Sequence, residues 1–110
     1  MGSIWHILAG IGGASAVAMG AYGAHGFKPV DKYYDLVFER ANKYHFMGSF
    51  VLALAPMMKR SSLVGGLAAA GIVGFSGSCY AVALTEDRSV GKLAPFGGFA
   101  FIAAWLAMAF

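Results

Sequence analysis

Apolar residues fill four long stretches of the chain, and short polar segments separate them. The first stretch runs from Ile4 to His25 without a formal charge. As a helix it would be about 32 Å long, enough for a hydrocarbon core of about 30 Å. Gly12, Ala16, Gly20 and Ala24 recur every fourth position and put a flat stripe on one helix face. Gly26, Lys28 and Pro29 break this helix. The polar segment from Val30 to Lys43 follows, with Asp31 placed to cap it. Tyr34, Val37, Phe38, Ala41 and Tyr44 recur there at steps of three and four, the period of an amphipathic helix. The pattern predicts a helical extension on or beyond the membrane surface, leading into a second span from about Ala41 to Met58. Pro56 falls near the end of that span, where a lost backbone bond costs least. Lys59-Arg60-Ser61-Ser62 reads as a tight turn into a third span, Leu63 to Leu84, with a second stripe at Gly66, Ala70, Gly74 and Ser78. A polar loop from Thr85 to Lys92 precedes a short fourth span, Leu93 to Phe110, which has Pro95 in its first turn and Gly97-Gly98 just after.

The expected fold is therefore all-α and membrane-integral. It is one domain over residues 1–110, an antiparallel four-transmembrane-helix bundle with spans at about 4–25, 41–58, 63–84 and 93–110 and an amphipathic extension before the second. Composition agrees: 59% of residues are apolar and 12% charged, against about a quarter charged in soluble domains. The net charge of +3 is scattered, not gathered into the basic face that nucleic acid requires. A single cysteine, Cys79, excludes an internal disulfide and any zinc site built on a cysteine pair, and its apolar setting suits an inert packing residue. The first apolar run is too long for a signal-peptide core of about 7–15 residues and lacks the Arg-rich character of a transit peptide. Met1-Gly2-Ser3 opens like a myristoylation signal, but His6 stands where Ser or Thr is required. Gly10-Ile-Gly-Gly13 has neither the strand nor the acidic residue of a dinucleotide fingerprint. With four spans, Lys59 and Arg60 lie on the side of both termini; Lys28, Lys32, Arg40, Lys43, Arg88 and Lys92 lie on the other. Every acidic residue shares that second side, so the basic count leaves orientation open.

The polar residues within the spans collect toward that second side. His25 ends the first span. Asn42, His45 and Ser49 share a face of the second, and Ser76 and Tyr80 share a face of the third. Polar groups in lipid turn inward and find partners. Three readings of His25, Asn42, His45, Ser76 and Tyr80 stay open: interhelical hydrogen bonds that set register, a site for a small molecule, lipid or proton, and metal or haem ligation by His25 and His45. Small-residue stripes leave little room for a haem, and no carboxylate lies within the spans to serve a proton relay. Gly12, Ala16 and Gly20, with Gly66, Ala70 and Gly74, are expected to face other helices. Trp5 and Trp105 at one end, with Tyr33, Tyr34 and Tyr44 at the other, suit interfacial anchors.

Gly20-Ala-Tyr-Gly-Ala-His-Gly26, Ala41-Asn-Lys-Tyr-His-Phe46, Phe75-Ser-Gly-Ser-Cys-Tyr80 and Leu93-Ala-Pro-Phe-Gly-Gly98 occur in order along the chain. Together they resemble the transmembrane protein 256 family, the eukaryotic branch of a bacterial domain-of-unknown-function group (number 423). The resemblance implies a small four-helix membrane protein and, for the eukaryotic branch, the mitochondrial inner membrane. It carries over motif positions (His25, Asn42, His45, Ser76, Ser78, Tyr80, Pro95, Gly97) but no catalytic residue. The expectation is a non-enzymatic accessory subunit of a larger inner-membrane, respiratory-chain complex, surrounded by lipid and other membrane subunits and holding no cofactor or metal. The alternative is a small lipid-, quinone- or solute-binding protein or carrier that uses the polar cluster.

Overall fold

The structure, a computed structural model, describes residues 4–110, so the reading of Met1-Gly2-Ser3 lies outside the described residues. Every regular element among them is helical. Helix α1 (Ile4–His25) ends where the N–H groups of Gly26 and Phe27 both reach the Tyr22 carbonyl, at 2.7 and 2.9 Å. Asp31 then caps α2 (Lys32–Leu54), its Oδ1 accepting from the Tyr33 N–H at 2.9 Å. The extension and second span expected from the sequence are thus one unbroken helix. Pro56 falls in a 3-10 turn, Ala55–Met57, which opens the reversal into α3 (Ser61–Gly71). A π-helical turn, Ile72–Ser76, joins α3 to α4 (Gly77–Thr85), making one continuous rod from Ser61 to Thr85. Glu86, at φ 55°, takes the left-handed conformation that stops this rod. Asp87 caps the 3-10 turn Arg88–Gly91, accepting from the Ser89 hydroxyl at 2.7 Å and its N–H at 2.9 Å. Those bonds hold the Asp87 carboxyl below the usual carboxylate range. They steady the loop above the ordinary aspartate range and are lost as pH falls through the depressed value. Helix α5 (Ala94–Met108) closes the fold.

The helices run in sequence across a thin plate, 46 × 25 × 17 Å in extent. Helix α2 packs against α1 on one side and the α3–α4 rod on the other, and α5 lies along the rod. Two apolar clusters hold the plate together. Val37, Phe38, Ala41, Cys79, Val82 and Ala83 form one end. Val51, Leu52, Ala55, Val64, Ala68 and Ala104 form the other. Along α2 the residues between them, from Asn42 to Gly48, carry the polar side chains discussed below.

Among the described residues three stretches are long and apolar enough to cross a membrane: Ile4–His25, Ser61–Thr85 and Arg88–Met108. Helix α2 is not among them. Lys32, Asp35, Glu39, Arg40 and Lys43 occupy its first half. Only Tyr44 to Leu54 is free of charge, a rise of roughly 17 Å against the roughly 30 Å of a hydrocarbon core.

The stripe on α1 faces α2: an added Cβ at Gly12 would meet Ser49 Oγ, and one at Gly20 would sit 3.0 Å from Asn42 Oδ1. Ala16 between them is buried. The stripe on the rod behaves differently. Nothing lies within 4 Å of a Cβ added at Gly66, and Ala70 is exposed, so these two do not face another helix of the chain. Gly65, Ala68 and Gly71 face inward instead, Gly65 under the Trp5 indole and Gly71 under the Phe101 ring. Four residues overshoot a full helical turn by about 40°. That drift and the wider π turn carry Gly74 round to α5, where its added Cβ would lie 3.0 Å from the Gly97 Cα. A Cβ at Gly97 would overlap the backbone of Gly74 and Phe75, so α5 and the rod touch main chain to main chain.

Gly97→Leu is expected to lower stability by roughly 1–3 kcal/mol through overpacking. Gly66→Leu in the purified chain should stay within about 0.5 kcal/mol of wild type. Denaturant titration in detergent measures both, and equal losses would contradict the packing described.

Candidate functional site

The polar centre of the plate is built where α1 comes closest to α2. The gaps at Gly12 and Gly20 let the α1 backbone approach until its carbonyls meet α2 side chains. Asn42 Nδ2 donates to the Ala16 carbonyl at 2.7 Å and to the Tyr80 hydroxyl of α4 at 3.1 Å. His45 Nδ1 lies 2.8 Å from the same hydroxyl, and His45 Nε2 lies 3.0 Å from Ser15 Oγ on α1. Ser15 Oγ donates to the Gly12 carbonyl at 3.0 Å, and Ser49 Oγ to the His45 carbonyl at 2.9 Å. His45 is 6% exposed and Ser49 5%. The Phe38 ring packs edge-on against Tyr80, centroids 5.2 Å apart, and joins the polar centre to the first apolar cluster.

One assignment of the hydrogens leaves each of these bonds with a donor and an acceptor. Ser15 spends its one hydrogen on Gly12, so it accepts from His45, and Nε2 carries the imidazole proton. Nδ1 is then bare and accepts from Tyr80. The Tyr80 oxygen in turn accepts from Asn42, whose other amide hydrogen goes to Ala16. The hydrogen bonds therefore run one way, from Asn42 through Tyr80, His45 and Ser15 to Gly12. The chain of donors stops at a main-chain carbonyl, and its branch at Ala16 stops at another. Neither carbonyl can pass a proton on. The arrangement ties three helices together.

Two of the five residues expected in this cluster stand outside it. His25 is exposed at the end of α1. It lies five residues past Gly20, roughly 8 Å farther along the axis than the level of Asn42. Ser76 is completely buried, yet its hydroxyl has no hydrogen-bond partner among the described residues. It ends the π turn, where the Gly77 N–H bonds five residues back to the Ile72 carbonyl and the usual helical register is displaced. Asn42, His45 and Tyr80 do meet. Ser15 and the carbonyls of Gly12 and Ala16 complete the network, and the sequence reading passed over them. The signal was present: a glycine opposite a polar residue on the next helix bares the backbone beside it. A metal or haem ligated by His25 and His45 does not fit, because His25 lies at the exposed end of α1 and both His45 nitrogens are engaged. Among the described residues no three His, Cys, Asp or Glu side chains gather.

Apolar helices around a polar seam define a small, all-helical membrane protein. The chain belongs to the family described as "Protein of unknown function (DUF423)", whose pattern matches residues 19–98. It is 38% identical over 109 residues to a UPF0382 membrane protein of Staphylococcus saprophyticus, covering 94% of this chain and 91% of that one. To the UPF0382 membrane protein YwdK of Bacillus subtilis it is 40% identical over 111 residues, covering 94% and 90%. A UPF0382 membrane protein of Staphylococcus epidermidis is 38% identical over 112 residues, with 96% and 91% covered. No solved structure matches. These relatives are bacterial and support the broader group; the eukaryotic branch rests on the four motifs alone.

Tyr80→Phe removes the central hydroxyl and strands an Asn42 amide hydrogen and His45 Nδ1. It should cost about 1–3 kcal/mol. Ser76→Ala deletes a hydroxyl with no hydrogen-bond partner among the described residues and should leave stability unchanged or slightly raised. Thermal melts in detergent compare the two, and a loss in Ser76→Ala matching that in Tyr80→Phe would refute the assigned network.

Proposed function

We propose that the protein is a non-enzymatic structural subunit that packs within a larger membrane assembly. The observation that carries this is the closed polar network, in which each proton is committed to a partner inside the bundle. A network of that kind fixes helix register and leaves no acid, base or nucleophile poised for a substrate. Support for a partner comes from the outer faces. Gly10, Ala14 and Ala18 form a small-residue row on the exposed side of α1, and Gly66 and Ala70 form another on the rod. Helices associate in lipid by close packing of such rows. Helix α2 then completes a four-span bundle when its charged first half projects beyond the hydrocarbon or is sheltered by neighbouring subunits. A host in the respiratory chain of the mitochondrial inner membrane follows from the resemblance to the eukaryotic branch; the bacterial relatives reported above lend it no support.

A second reading is favoured by one observation. A cleft of about 260 Å3 opens between α1 and the rod, with Ser15 and His45 in a wall otherwise made of residues such as Leu8, Leu52 and Ile72. A quinone or lipid tail could enter there, and the network would form one side of the site.

Purification of the tagged full chain in mild detergent, followed by native electrophoresis, separates the readings. A subunit should co-migrate with a stoichiometric partner, and Ala14→Leu or Ala70→Leu should release it without lowering the melting temperature of the isolated chain. Recovery only as a free monomer, stabilised by added quinone in a His45-dependent way, would overturn the subunit reading.

A further inference from the structure

A groove separate from the polar network runs between α2 and α5 and encloses about 510 Å3. Tyr44 and Met47 line it from α2, and Phe99, Ile102 and Trp105 from α5. Within that lining the Trp105 indole N–H donates to the Met47 sulfur at 3.2 Å. Arg40 is the one charged residue in the groove's lining. Arg40 and Tyr44 also border an adjoining polar hollow of about 250 Å3, together with Leu36, Glu39 and Lys43. An apolar trough thus leads directly into a cationic mouth. Arg40 has neither a hydrogen bond nor an ion pair among the described residues, and Lys43 has only a ring contact, its Nζ lying 5.9 Å from the Tyr44 centroid. Glu39 is the single acid at the mouth.

We propose that this groove holds one anionic glycerophospholipid, an acyl chain lying between α2 and α5 and the phosphate seated on Arg40 and Lys43. Charge complementarity carries the assignment. In a bilayer the chain gains little by leaving other lipid tails for an apolar groove, because both surroundings are hydrocarbon. Selectivity must therefore come from the headgroup. Two basic side chains without carboxylate partners, placed where the charged half of α2 meets its apolar half, attract a phosphate and favour an anionic headgroup over a zwitterionic one. The trough also explains why the mouth favours an amphiphile over a free anion: Arg40 belongs to both compartments and joins headgroup to tail. The site holds whether or not the chain has a host, and it does not use His45.

The test uses the full chain carrying Trp5→Phe, which leaves Trp105 in the groove as the single indole. The protein is reconstituted in phosphatidylcholine vesicles containing a minor fraction of either phosphatidylglycerol or phosphatidylcholine with brominated chains. Brominated phosphatidylglycerol should quench Trp105 with an apparent affinity higher on the order of ten-fold, since each basic residue near the surface contributes a factor of about five and Glu39 opposes them. The preference should vanish in Arg40→Gln/Lys43→Gln, increase in Glu39→Gln and weaken at high salt. Equal quenching by the two lipids would overturn the proposal. So would a preference untouched by the double substitution, or quenching relieved by a short-chain quinone and not by unlabelled phosphatidylglycerol. If Trp5→Phe does not reconstitute, native mass spectrometry of the unaltered chain gives the second readout. One phosphatidylglycerol should be retained where phosphatidylcholine is shed, and equal retention would contradict the site.

Discussion

In hydrocarbon a polar side chain has no water to fall back on, and a helix gains little by burying apolar residues against a neighbour. Helix α1 meets that constraint in its barest form. It lies mainly along α2 and exposes Ile7, Ile11 and Val17 on its far side. What holds it in place is close contact at Gly12, Ala16 and Gly20 and the hydrogen bonds that this contact permits. Asn42 reaches the Ala16 carbonyl only because no side chain at Gly20 stands in the way. Ser15 and His45 meet one turn along for the same reason. Small residues and polar residues thus act as one device: the glycines bring the backbones together, and the side chains bond across the gap.

The same dependence explains which parts of the structure were legible in the sequence. Apolar length placed α1, the Ser61–Thr85 rod and α5 to within a few residues, because length and hydropathy are local properties. The Asp31 cap was legible too, being a short-range bond. Facing was less so. Gly66 and Ala70 lie in register with Gly74, yet only Gly74 meets α5, since small residues occur on several sides of the rod and the π turn alters the phase. No local rule announces a π turn in Ile72-Val-Gly-Phe-Ser76. His25 misled because it was grouped with the cluster by its nearness to one end of the bundle, whereas it lies roughly 8 Å farther along the axis than Asn42. Helix α2 falls outside the stretches long and apolar enough to cross a membrane because its charged first half and apolar second half form one helix, which the sequence presented as two elements.

The geometry also bears on what the membrane protein can do. The hydrogen bonds from Asn42 through Tyr80, His45 and Ser15 end on the Gly12 carbonyl and tie α1, α2 and α4 together. Ser76, a buried hydroxyl without a hydrogen-bond partner among the described residues, marks the π turn where α5 presses glycine to backbone. The proposed subunit contact and lipid site lie on the surfaces: the small-residue rows of α1 and the rod, and the groove at Arg40. The bacterial relatives reported above are likewise described as membrane proteins.

The direction of the hydrogen-bond chain is the most specific claim made for this molecule, and the tautomer of His45 reads it directly. Nitrogen-15 spectra of the ring, assigned by comparison with His45→Ala, can be recorded at neutral pH in detergent or bilayers. The closed network requires a neutral imidazole protonated at Nε2 and bare at Nδ1. A ring protonated at Nδ1 would reverse the bonds to Tyr80 and Ser15, and a doubly protonated ring would mean an open site. Either result would contradict the structural role assigned to the polar centre.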